Sequence, residues 1–142
     1  MLVKDIMTSD VKTIDPDASV QEAGQIMSNF DIGCVVVAKD GRLLGILTEM
    51  DIVRRVVAKN RSPSKTKVKD VMSKELVVIE PDASVEEAAE AMINHKVKKL
   101  PVVLANQLLG IVTAMDIVRS QPKLIEQIGK LIFLPQKRLT AG

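Results

Sequence analysis

The chain contains itself twice. Val3-Lys4-Asp5-Ile6-Met7 returns as Val68-Lys69-Asp70-Val71-Met72, and Pro16-Asp17-Ala18-Ser19-Val20 returns as Pro81-Asp82-Ala83-Ser84-Val85. Leu43-Leu44-Gly45-Ile46-Leu47-Thr48 matches Leu108-Leu109-Gly110-Ile111-Val112-Thr113, and Met50-Asp51-Ile52-Val53-Arg54 matches Met115-Asp116-Ile117-Val118-Arg119. The offset is 65 without a gap, and 25 of the 52 positions from Val3 to Arg54 are identical in the second copy. A repeat this long predicts two folded units packed pairwise, with any site present in duplicate. Burial is marginal for an isolated unit of about 60 residues, so the halves are expected to share a core.

Each copy parses in the same order. A short turn at Val3–Thr8 precedes a brief extended run, Val11–Ile14, which Pro16 stops. Ser19-Val20-Gln21-Glu22, and Ser84-Val85-Glu86-Glu87 after it, have the spacing of a helix capping box. The helix that follows places Val20, Ala23, Ile26 and Met27 on one face, matched by Val85, Ala88, Met92 and Ile93. Two β-branched runs joined by Lys39-Asp40-Gly41-Arg42 signal a hairpin; Ala105-Asn106-Gln107 makes the second turn a weaker signal. A second helix after Thr48 carries Ile52, Val53, Val56 and Val57. Each copy therefore reads β-α-β-β-α, an α+β unit in which helices cover a small sheet. The parse gives a first motif at 1–60, a linker at 61–67 broken by Ser62-Pro63-Ser64, a second motif at 68–121 and a C-terminal helix and tail at 122–142. The apolar spacing of Leu124–Ile132 fits either a cap on the module's own core or a partner contact.

Composition narrows the function. Hydrophobic residues make up 46% of the chain but include only two Phe and no Trp or Tyr, so stacking platforms for single-stranded nucleic acid are scarce. The single Cys34 precludes an intrachain disulfide and fits a reducing cytosol. There is no apolar run of about 18 residues that would cross a membrane, and Lys4 and Asp5 do not suit a signal peptide. These features predict a soluble cytoplasmic protein. Conventional catalytic groupings are missing: His95, the only histidine, lies in the polar string Asn94-His95-Lys96 and reads as a helix end. Neither standard glycine-rich phosphate loop occurs, and one His with one Cys makes a zinc site untenable. The expectation is a protein that is not an enzyme and carries no metal.

What the sequence offers instead is Gly45-Ile46-Leu47-Thr48-Glu49-Met50-Asp51 and its counterpart Gly110-Ile111-Val112-Thr113-Ala114-Met115-Asp116. Each is a strand end, a threonine, and the first turn of a helix. A glycine lets a ligand approach the backbone, a helix N-terminus favours anionic oxygens, and an ionised Asp accepts both hydroxyls of a ribose cis-diol. Thr-x-x-Asp is equally the spacing of a structural cap, and the two readings stand side by side.

The motifs recurring in order through residues 3–120, with Lys99-Leu100-Pro101-Val102-Val103 opening the second hairpin, resemble a CBS-domain pair, or Bateman module. The resemblance implies a tandem, pseudo-twofold module, commonly paired again into a disc-like homodimer. It also implies adenine nucleotides (AMP, ADP, ATP) or an adenosyl compound such as S-adenosylmethionine bound in clefts between the copies. No cofactor is implied beyond that regulatory ligand. Occupancy would be relayed to an unidentified protein partner. By position, Thr48 and Asp51 would serve one cleft and Thr113 and Asp116 the other, each Asp on a ribose. Thr13, Ile14, Val36, Val78, Ile79 and Val102 would line adenine through backbone groups and apolar contacts. Lys98 and Lys99 stand where such modules place phosphate-binding residues, or they are a solvated loop; the first copy has Gly33 and Cys34 there. Met50 and Met115 replace the basic residue frequent before the Asp, which leaves the phosphate number open.

Two other functions compete. Seven basic residues and no acidic one from Arg54 to Lys69, with Lys137-Arg138, suit nucleic acid or a solvated connector, although the net charge is only +2. A structural or assembly subunit with empty clefts would rely on the terminal helix.

Overall fold

The structure, a computed structural model, describes residues 1–132. In chain order the elements are α1 (Val3–Ile6), β1 (Thr13–Ile14), α2 (Val20–Phe30), β2 (Cys34–Lys39), β3 (Arg42–Thr48) and α3 (Glu49–Ile52). A π-helical turn, Val53–Val57, continues α3, and then come α4 (Val68–Val71), α5 (Val85–His95), β4 (Lys99–Leu104), β5 (Gln107–Thr113) and α6 (Ala114–Ser120). A 3-10 turn, Pro122–Leu124, leads into α7 (Ile125–Ile132). The content is α+β with a mixed sheet: β1 runs parallel to β2, pairing Thr13 with Val36 and Ile14 with Val37, and β2 is antiparallel to β3.

The chain forms two compact units, and neither is a single copy of the repeat. The first unit holds Asp10–Leu76 with Ala105–Leu108; the second holds Met1–Ser9, Val77–Leu104 and the described residues from Leu109 to Ile132. The segment that opens each copy is thus exchanged into the other. In the second unit Val3 N–H donates to the Ala83 carbonyl at 2.8 Å and Lys4 N–H to that of Pro81 at 3.0 Å. In the first, Val68 N–H donates to Ala18 at 2.8 Å and Lys69 N–H to Pro16 at 3.0 Å. Ion pairs repeat the exchange, Lys4 with Asp82 at 3.0 Å and Lys69 with Asp17 at 2.9 Å. The shared core expected from size is instead two clusters. Val68 and Val71 complete the one built on Ile14, Val20, Ala23, Val35, Val37, Leu47 and Val56. Val3 completes the one built on Val85, Ala88, Met92, Leu100, Val102, Val112 and Ile117.

Local chemistry explains most elements. Glu22 N–H donates to Ser19 Oγ at 3.1 Å and Glu87 N–H to Ser84 Oγ at 3.0 Å, satisfying otherwise orphaned amides at the starts of α2 and α5. The return bond of a full capping box is replaced at Ser19 by a 3.4 Å contact between its hydroxyl and Glu22 Oε1. Asp40 and Gly41 turn the first hairpin with φ of 54° and 79°, the left-handed values that a two-residue turn matching strand twist requires. Ala105 and Asn106 adopt φ of 50° and 65°, so the weaker signal folds into the same left-handed turn.

Of Ile52, Val53, Val56 and Val57 in the second helix, only Val56 is fully buried, and Val53 and Val57 are 49% and 65% exposed. This segment is the π-helical turn, where Ala58 N–H reaches back to Val53 O at 2.8 Å and Arg61 N–H to Val56 O at 2.9 Å. The linker at 61–67 is exposed, as a solvated connector would be, apart from one anchor. Thr66 is buried, donates its hydroxyl to Ser62 O at 2.7 Å, and accepts Val20 N–H on its carbonyl. The C-terminal helix packs as a cap, with Leu124 and Ile128 buried in the second cluster. Among the described residues no helix is long and apolar enough to cross a membrane.

Candidate functional site

Each unit contains one threonine–aspartate turn where a strand passes into a helix. Thr48 N–H donates to Asp51 Oδ2 at 3.0 Å, and Asp51 N–H to Thr48 Oγ1 at 3.1 Å. In the second unit Thr113 N–H donates to Asp116 Oδ2 at 2.9 Å, and Asp116 N–H to Thr113 Oγ1 at 3.1 Å. The backbone at the two threonines is nearly superimposable, with φ and ψ of −105° and 162° against −114° and 162°. The geometry is therefore a full capping box at both turns. It does not exhaust the carboxylate, since Oδ1 and a second lone pair on Oδ2 can still accept hydroxyl protons.

The anion-binding capacity of these helix starts is smaller than the sequence suggested. Glu49 N–H is taken by the Gly33 carbonyl at 3.0 Å and Asp51 N–H by Thr48; Ala114 N–H is taken by the Lys98 carbonyl at 2.8 Å and Asp116 N–H by Thr113. The glycines are a correction too. A Cβ on Gly45 would lie 2.7 Å from Met72 Sδ and 2.8 Å from the Ser73 carbonyl; one on Gly110 would lie 2.7 Å from the Thr8 carbonyl and 2.8 Å from Met7 Sδ. The room they leave is filled by the exchanged segments, not by a ligand. The recurrence of Met7 as Met72 was the signal in the sequence, and it was not connected to the glycines.

The bond from Ala114 N–H to the Lys98 carbonyl fixes the lysine pair at the start of α6. The structure thus brings Lys98, exposed, and Lys99, half-buried, to the same turn as Thr113 and Asp116. The first unit brings Gly33 and Cys34 to Thr48 and Asp51, and adds Glu49, whose carboxylate oxygen would lie 2.8 Å from a Cβ on Gly33. The second copy has Ala114 at that position. One turn therefore carries extra negative charge and the other extra positive charge. Arg55 offsets the first: its Nε lies 4.0 Å from Asp51 Oδ1, while its Nη1 donates to the carbonyls of Val71 and Met72 at 2.9 and 3.1 Å. Sequence reasoning did not single out Glu49 or Arg55. Their non-identity with Ala114 and Ser120 was the available sign.

The residues expected to line adenine divide differently. Thr13 and Val78 are exposed, and Ile14, Val36, Ile79 and Val102 are buried. Ile14, Ile79 and Val102 belong to the core clusters, so only their backbone groups are available to a ligand. Val102 is not the counterpart of Val36. At the offset of 65 Val36 corresponds to Pro101, whose carbonyl accepts Ile79 N–H at 3.0 Å, and Val102 pairs with Ile79 as Val37 does with Ile14.

The basic run is partly used within the first unit. Arg55 is held by two carbonyls, and Lys67 and Lys69 lie 3.8 and 2.9 Å from Asp17. Lys137 and Arg138 lie outside the described residues. Among the described residues no group of three or more His, Cys, Asp or Glu is placed to hold a metal ion.

The CBS-domain sequence family matches residues 3–58 and 68–123. The chain belongs to the CBS-domain family. CBS-domain proteins are regulatory modules that commonly bind adenosyl ligands. The chain is 40% identical over 119 residues to the CBS domain-containing protein YhcV of Bacillus subtilis, covering 84% of each chain. It is similar in structure to the conserved CBS domain protein TA0289 of Thermoplasma acidophilum, with a TM-score of 0.82 and 27% identity over 94% of this chain and 75% of that one. It is also 38% identical over 117 residues to the inosine-5'-monophosphate dehydrogenase of Methanocaldococcus jannaschii, but the match spans 81% of this chain and 22% of that enzyme. That likeness is to a CBS segment and brings no dehydrogenase to this chain.

Proposed function

We propose that this CBS pair is a regulatory sensor of an adenine nucleotide or related adenosyl ligand, with a ribose held at Asp51 and Asp116. The observation that carries the reading is the duplicated threonine–aspartate turn. Each carboxylate is fixed by one oxygen and keeps the other for hydroxyl donors, and Lys98 and Lys99 are anchored beside the second turn alone. That asymmetry supports a polyphosphate preference at Asp116 and a weaker or different ligand at Asp51. The chain is further proposed to work as a homodimer in the cytoplasm and to act on a protein partner. Exposed Met50, Val53 and Val57 on one helix support the dimer. Ligand occupancy shifts the population of arrangements only so far as the ligand binds them with different affinity.

The test is a thermal-shift panel of adenine and guanine nucleotides on the full chain, because a ligand that binds only the folded state raises Tm. Adenine nucleotides are expected to raise it, and Asp116→Asn, which keeps an acceptor for the cap, is expected to reduce the shift. A flat response across the panel would remove the reading.

A further inference from the structure

In the first unit the Asp51 turn is tied to the exchanged segment, and in the second unit the equivalent tie is missing. Arg55 Nη1 donates to the Val71 and Met72 carbonyls at the end of α4, while Nε faces Asp51 Oδ1 at 4.0 Å. The guanidinium is thus bonded closely to neutral carbonyls and only loosely to the carboxylate. The helix widens into its π-helical turn at Val53–Val57, around Arg55 itself. Such widened turns recur at functional positions. The same strand-to-helix passage in the second copy continues as ordinary α-helix through Ala114–Ser120. There Ser120 stands in place of Arg55, and its hydroxyl is turned back onto the Ile117 carbonyl at 3.0 Å. The chain therefore holds its own control: two matching joints, one with the guanidinium and one without.

We propose that Arg55 is a positioning residue that makes the Asp51 turn report anionic ligands to the exchanged segment. An anionic group next to the Asp51-bound ribose attracts Arg55 more strongly than two neutral carbonyls do, because charge-assisted hydrogen bonds are the stronger class. Arg55 then leaves Val71 and Met72, and the end of α4 loosens. What loosens is defined by two amide bonds, Met72 N–H to Val68 O at 3.0 Å and Ser73 N–H to Ile46 O at 2.9 Å. The matching amides of the second unit, Met7 N–H to Val3 O at 3.0 Å and Thr8 N–H to Ile111 O at 2.9 Å, have no such connection. An uncharged ribosyl ligand leaves the tie in place. The inference rests on the reading of Asp51 as a ribose contact and adds to it which ligand class is reported, and where.

Hydrogen exchange on the full chain tests this, comparing no ligand, AMP and adenosine. AMP is expected to speed exchange at Met72 and Ser73 relative to Met7 and Thr8 by about fivefold, the effect of losing one ordinary hydrogen bond on a local opening. Adenosine is expected to leave the ratio unchanged. Arg55→Ser is expected to show the faster ratio without ligand and no response to AMP, and Arg55→Lys to restore part of the response. If Asp51→Asn weakens AMP binding by thermal shift while the parent's ratio stays constant, or if Arg55→Ser responds as the parent does, the coupling is wrong while the sensor reading stands; if Asp51→Asn leaves AMP binding unchanged, the coupling falls as well. If neither AMP nor adenosine binds, both fall together.

Discussion

Replacing Gly45 or Gly110 by alanine separates a glycine required by folding from one required by a ligand. Neither lies at positive φ, so alanine meets no backbone strain there. Alanine also restricts the unfolded chain, which by itself stabilises by about 0.4–1 kcal/mol. Against this stands the space around each Cβ. At Gly45 the methionine sulfur at 2.7 Å can move, but the Ser73 carbonyl at 2.8 Å is held by its pairing with Ile46. At Gly110 the fixed neighbour is the Thr8 carbonyl at 2.7 Å, paired with Ile111. Overpacking of this kind costs about 1–3 kcal/mol, so at the middle of both ranges the net loss is about 1.3 kcal/mol per site. For a chain of this size that lowers Tm by roughly 2–8 °C. Calorimetry gives the Tm, and hydrogen exchange at Ser73 or Thr8 locates the loosening. The reasoning is refuted if Gly45→Ala or Gly110→Ala leaves Tm and exchange unchanged while abolishing nucleotide binding, since the glycine would then serve ligand approach.

Other consequences are smaller and equally direct. Ala105→Gly relieves a left-handed residue with a Cβ at φ of 50° and should stabilise the protein by about 1 kcal/mol in chemical denaturation. Gln121 carries a buried Oε1 without a partner, and its counterpart in the first copy is the core residue Val56; Gln121→Val should raise the unfolding free energy by about 1 kcal/mol or more in chemical denaturation. A hydrogen bond from Lys69, and then its charge, hold the Asp17 carboxyl below the ordinary 3.8, and Asp17 holds Lys69 above the ordinary 10.5. The Asp17 contribution is present above its unfolded pKa and fades as pH falls through its lowered folded value. The Lys69 contribution is present below its unfolded pKa and fades as pH rises through its raised folded value. Both groups are exposed, so the effect on stability is small; NMR titration of Asp17 in Lys69→Ala should show the carboxyl pKa moving up.

Sequence patterns revealed those parts of the fold that are decided locally. Ser19 and Ser84 cap their helices because a side-chain oxygen at that spacing meets an orphaned amide, and Asp40-Gly41 turns because those residues tolerate left-handed φ. The second hairpin shows the limit. Ala105-Asn106 is a poor local signal, and the flanking strands impose the turn all the same. The exchange of Val3–Ile6 and Val68–Val71 was beyond local reasoning, because identical apolar residues fit either copy equally well. The apolar run Ile52, Val53, Val56 and Val57 signalled a helix but not its widened π-helical turn, which leaves Val53 and Val57 at the surface. At the site, Thr-x-x-Asp was legible as cap or ligand contact, and the structure shows how one carboxylate serves the cap and keeps acceptor capacity. Glu49 and Arg55 were illegible in a reading that followed identities between the copies, since they matter through differing from Ala114 and Ser120.

Calorimetric titration of ATP and AMP into the parent chain, Asp51→Asn, Asp116→Asn and Lys98→Ala tests the central claim most directly. Asn at either position keeps an oxygen for the threonine amide while losing the negative charge that accepts two hydroxyls. The account predicts that Asp116→Asn weakens ATP binding by about tenfold or more, and that Lys98→Ala weakens ATP more than AMP, since a lost charged contact costs about 1.5–3 kcal/mol. Asp51→Asn is predicted to affect a separate, weaker event. Affinities unchanged in all three folded variants would contradict the assignment of the duplicated threonine–aspartate turns as the nucleotide sites.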